Sequence, residues 1–87
     1  MGTVITLPIR RPTGMFGPED RRALDRLVAR LRAVGAVGWE TDGPRAYIVG
    51  AEDETLLIIA KGGGGIVVSS GHGHELLWRG DRLAGYA

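Results

Sequence analysis

The stretch GPEDRRALDRLVARLRAVG, residues 17–35, decides the fold. Gly17 suits an N-cap and Pro18 the first helical position, while Glu19 and Asp20 put negative charge at the positive end of the helix dipole. Leu24, Leu27, Val28, Leu31 and Val34 recur at three- and four-residue spacing, so one side of this helix is apolar. Arg22, Arg26 and Arg30 lie four apart on the opposite side. Gly35 supplies the left-handed position at which helices commonly stop. The stretch predicts an amphipathic helix from Pro18 to Val34, and its apolar stripe needs a second layer to cover it.

That layer is written on either side of the helix with a period of two. Thr3 to Ile9 is β-branched and alternating, with Pro8 marking an edge or an exit because proline has no N–H to donate to a ladder. Arg10 to Gly14 makes a basic, turn-rich connection to the helix. Beyond Gly35, Ala36 to Thr41 and Arg45 to Ala51 read as a hairpin turned by Asp42-Gly43-Pro44. Thr55 to Ala60 is apolar on both alternating faces, as expected of the most buried central strand. Four glycines, 62–65, lead into Ile66 to Ser70, and the turn residues Gly71 to His74 lead into Glu75 to Arg79. The tail from Gly80 to Ala87 is expected to pair weakly or fray. The fold class expected is α+β: one amphipathic helix packed on a mainly antiparallel sheet of five or six short strands, in the order β-α-β-β-β-β-β, forming a single domain over residues 1–87.

Length and composition narrow the chemistry. A chain of 87 residues buries a thin core, and without cysteine it has neither a disulfide framework nor a thiolate metal site, so apolar packing alone must hold it. The absence of a basic leader and of a long apolar run predicts a cytoplasmic protein with no membrane association. The net charge of +1 conceals a polarised chain. The first 35 residues carry seven arginines against three acids, and the remainder four basic groups against seven acids. Ten of the eleven basic residues are arginine, a bias that GC-rich codons would also produce, which discounts a polyanion reading.

Four constellations are candidates for function. The glycines at 62–65 would allow backbone N–H groups to approach a phosphate, but the next element is a strand and no Gly-Lys-Ser/Thr signature is present, so a hairpin loop is the simpler reading. His72, His74 and Glu75 form the one group with metal character, since His-x-His on an extended segment projects both rings to one side. Zinc needs three or four ligands, and the sequence supplies no second histidine pair. This is the small metal-dependent enzyme alternative. Ser69 and Ser70 lack an identifiable orienting carboxylate for a nucleophile-base pair. The guanidinium ridge of Arg22, Arg26 and Arg30, extended by Arg10 and Arg11, suits phosphates or carboxylates and defines a nucleic-acid-binding alternative. Asp25 is expected to pair with Arg21 or Arg22, and Glu19 with Arg22, which weakens that surface.

Trp39, Tyr47 and Trp78 fall on different strands and either complete the core or stand on the uncovered sheet face as anchors for a partner. With no catalytic set, no cofactor motif and a sheet that one helix covers on one side only, the reading preferred is a non-catalytic protein-binding domain. It would act as an inhibitor or adaptor, in the size class of immunity proteins, antitoxins and phage anti-defence inhibitors, and bind through Arg22, Arg26, Arg30, Trp39, Tyr47 and Trp78. A homodimer through a sheet edge or the open sheet face is a further expectation.

Overall fold

Alternation along Arg45–Gly50 buries Ala46 and Ile48 on one side and leaves Tyr47 and Val49 half-buried on the other, and this two-sided pattern organises the sheet. The computed structural model describes residues 16–87. The expected first strand, Thr3 to Ile9, and the connection through Arg10 and Arg11 lie outside the described residues. Helix α1 spans Pro18–Arg30. Five strands follow: β1 Ala36–Asp42, β2 Arg45–Gly50, β3 Thr55–Gly62, β4 Gly65–Ser70 and β5 Leu76–Gly80. They form one antiparallel sheet in the order β1-β2-β3-β4-β5, so each strand pairs with its neighbour in sequence.

Helix α1 buries Ala23, Leu24, Leu27 and Val28 against the sheet. Each leucine contributes roughly 1.5–3 kcal/mol by leaving water. The sheet meets them with Ala46, Ile48, Leu57, Ile59, Ile66 and Val68, and Phe16 and Leu83 close the layer. At the N-terminal end of α1, Lys61 Nζ reaches Asp20 Oδ2 at 2.6 Å and lies 5.6 Å from the centre of the Phe16 ring. The last turn of β3 is thereby tied to the first turn of the helix by charge as well as by packing.

Three expectations are corrected. The α-helix ends at Arg30 rather than Val34, and Arg32–Val34 forms a 3₁₀ turn capped by Gly35 at φ +104°. The tighter winding satisfies the last carbonyls while redirecting the chain into β1, since Ala36 N donates to Leu31 O at 3.1 Å. The glycine run contributes to both strands of its hairpin, because Gly62 pairs with Gly65 and only Gly63 and Gly64 form the turn. The C-terminal tail does not fray: Leu83–Gly85 is a 3₁₀ turn whose Leu83 is fully buried, and the Tyr86 ring packs on Trp78 with centroids 5.5 Å apart.

Register shifts locate a β-bulge in each edge strand. Gly50 pairs with Ala36 and Val49 with Gly38, which leaves Val37 as an extra residue in β1. Val68 pairs with Trp78 and Ser69 with Leu76, which leaves Leu77 extra in β5. A third shift, between Ile48 and Val49, places Leu56 as an extra residue in β3. Bulges bend and twist a strand locally, and on an edge they spoil the template for pairing with another chain.

Candidate functional site

The six residues expected to bind a partner fall into three surroundings. Arg22, Arg26 and Arg30 are exposed on the side of α1 away from the sheet. Arg30 is partly committed, since its Nη1 donates to Tyr86 O at 2.9 Å and ties the end of the helix to the C-terminal turn. Trp39 lies on the helix side of β1 and packs against the core, where its Nε1–H donates to Asp25 Oδ1 at 2.8 Å. Trp78 lies on the same side of β5, against Tyr86. Tyr47 alone of these three aromatics faces the opposite side, because the pairing register sets it beside Glu40 and Ile58.

The acids of α1 are engaged differently from the local pairs expected. Asp25 accepts from Trp39, and Glu19 lies 3.5 Å from Arg82. Both carboxylates reach across to other elements of the fold, and among the described residues neither forms an ion pair with Arg21 or Arg22. Arg22 and Arg26 therefore stand one turn apart as exposed guanidinium groups, with Arg21 exposed about 100° round the helix, and among the described residues none of the three is held by a carboxylate. Arg10 and Arg11, which completed the nucleic-acid alternative, lie outside the described residues.

His72, His74 and Glu75 are exposed in the turn between β4 and β5. This turn is held by its own hydrogen bonds: Ser70 Oγ donates to His72 O at 2.5 Å and accepts from Glu75 N at 3.1 Å, and Ser70 N donates to Glu75 O at 2.8 Å. The Ser70 hydroxyl thus fixes the backbone. Among the described residues no three His, Asp or Glu side chains converge as a metal site would require. The glycine loop lies beside a shallow open depression of about 360 Å³, lined by Lys61, Ile66, Val67 and Arg79 among others, with the Lys61 ammonium already bound to Asp20.

The sheet surface turned away from α1 is a second candidate, and it emerges from register rather than from any motif. Glu40, Tyr47, Ile58, Ser69 and Leu76 form one row across all five strands, and Asp42, Arg45, Ala60, Val67 and Arg79 form the next. The middle of this face is apolar. Acids stand on its β1 margin and an arginine on its β5 margin. Leu76 is 54% exposed, well outside what a side chain in a covered sheet would show. Sequence reading anticipated an uncovered sheet face but not which residues of β5 stand on it, because the bulge at Leu77 shifts the alternation of β5 by one residue.

No protein-family model, curated protein or solved structure gives a match to the chain. Among the described residues no helix is long and apolar enough to cross a membrane.

Proposed function

We propose that this small α+β domain is a non-catalytic protein-binding module, an inhibitor or adaptor that sets the arginine side of α1 against an acidic surface of another protein. The observation that carries the reading is the exposure of Arg22 and Arg26, one helical turn apart, with no carboxylate paired to either among the described residues. A guanidinium is weakly hydrated and presents a planar fork, so it gives up less on docking than an ammonium and matches a carboxylate with two parallel hydrogen bonds. A rigid helix fixes the spacing of the forks, which reduces the ordering cost of association. Arg21, exposed on the same helix, adds charge that steers approach. A protein is preferred to a nucleic acid because Glu19 and Asp25 lie among these arginines, and because the open sheet face carries Tyr47 as its single aromatic among the described residues, too few for a base-stacking platform.

The test is affinity capture from a lysate of the source organism with the wild-type chain and with Arg22→Glu/Arg26→Glu, each with and without nuclease. The expected result is one protein retained by the wild type after nuclease treatment and reduced at least about tenfold with the charge-reversed chain. Recovery that vanishes with nuclease assigns the ridge to nucleic acid. Equal recovery by both chains removes α1 from the binding surface.

A further inference from the structure

No helix or strand among the described residues lies over the sheet face turned away from α1, and one row of that face carries an acid, Asp42, at one margin and an arginine, Arg79, at the other. We infer that two copies of this chain pack these faces together about a two-fold axis running along the central strand β3. Such an axis exchanges the two margins of the sheet, laying β1 of one copy over β5 of the other and β3 over β3. Within the row Asp42–Arg45–Ala60–Val67–Arg79, Asp42 then faces the second copy's Arg79, and the symmetry makes this contact twice. Ala60 and Ile58, on the axis, meet their own counterparts, so the centre of the contact is apolar. Each Asp42 carboxylate stands between the Arg45 of its own hairpin and an arginine of the second copy, which adds an interaction while separating the like charges.

Two further features favour the face over the edges of the sheet. Both edge strands are bulged, at Val37 and at Leu77, which obstructs the continuous ladder that edge-to-edge association requires. Face-to-face packing is the alternative by which antiparallel sheets bury apolar side chains, with side chains interleaved across about 10 Å. Five strands about 4.8 Å apart and about six residues long offer a face of roughly 24 by 20 Å per copy. The total burial is then on the order of 1,000 Å², at the low end for specific interfaces, where association is weak and reversible. The arrangement leaves α1 on the outside of each copy and presents two arginine ridges, but the inference stands on the sheet face and does not depend on what those ridges bind.

Sedimentation velocity with the full chain, from roughly 5 to 500 µM, spans the concentrations at which a weak dimer dissociates. The mass is expected to move from 9.3 kDa toward twice that value. Ile58→Glu places two carboxylates at the axis and should hold the chain at the monomer mass. Asp42→Arg and Arg79→Asp should each weaken association at least about tenfold, and combining them should restore it, because residues on opposite margins of one sheet meet only across the axis. The charge exchange decides the matter if Ile58→Glu fails to fold by circular dichroism. A 9.3 kDa species throughout overturns the inference. A dimer indifferent to Ile58→Glu, or a combined variant as weak as its parents, overturns it equally.

Discussion

Gly71 has no space for a side chain. Its N–H donates to Leu56 O at 3.0 Å, and this bond draws the start of the β4–β5 turn so close to β3 that a Cβ would overlap the carbonyl of Thr55. The obstruction is backbone, which cannot swing aside as a side chain would. Two residues on, Gly73 has the opposite problem: its surroundings are open, but its φ of +74° disfavours any residue with a Cβ. Gly71→Ala should therefore cost about 3 kcal/mol or more, as overpacking against a rigid neighbour does, and Gly73→Ala about 1 kcal/mol. Urea denaturation of the two variants measures both. Equal losses would mean that the turn adjusts as a unit and that the close approach at Thr55 is not a fixed feature of the hairpin.

At the scale of elements, the C-terminal turn is a structural part of the core. Leu83 is fully buried in the core, and the turn around it is held by Tyr86 N to Leu83 O and by Arg30 to Tyr86 O. Leu83→Ala should destabilise the chain by about 2–5 kcal/mol, the range for a buried leucine whose cavity the surroundings only partly fill. A loss below 1 kcal/mol in a thermal melt would return this segment to the frayed tail its sequence suggests. The contrast shows what periodicity reveals. Leu24, Leu27 and Val28 repeat within one helix, and Ile48, Leu57, Ile59 and Val68 alternate along strands, so each declares its side through its neighbours. Leu83 stands alone among Arg82, Ala84 and Gly85, with no period to report its burial. The candidate site divides in the same way. Arg22 and Arg26 are legible from four-residue spacing, whereas the row from Glu40 to Leu76 depends on pairings across five strands and on a bulge that no local pattern encodes.

For the molecule as a whole, the described residues begin and end on the same part of the core. Phe16 and Leu83 are both buried in it, Glu19 lies 3.5 Å from Arg82, and Arg30 bonds to Tyr86, so α1 holds the C-terminal turn while the sheet joins them strand by strand. A layer this thin has no second core on which a subset of elements could persist, and a meander of hairpins has few distant pairings to make, so unfolding should be one cooperative step with fast refolding. The two tryptophans report from opposite margins: Trp39 from β1 against α1, and Trp78 from β5 against the C-terminal turn. In Trp78→Phe, which keeps Trp39, and in Trp39→Phe, which keeps Trp78, the fluorescence midpoint should coincide with the far-ultraviolet circular dichroism midpoint of the same variant. Submicromolar protein keeps self-association out of the comparison. Coincidence in both variants is the result expected of a single core. If Trp78 instead changes at lower denaturant than the circular dichroism signal, β5 and the C-terminal turn release first, and the two margins of the open face are then not held in one rigid frame, which the pairing of Asp42 with a second copy's Arg79 requires.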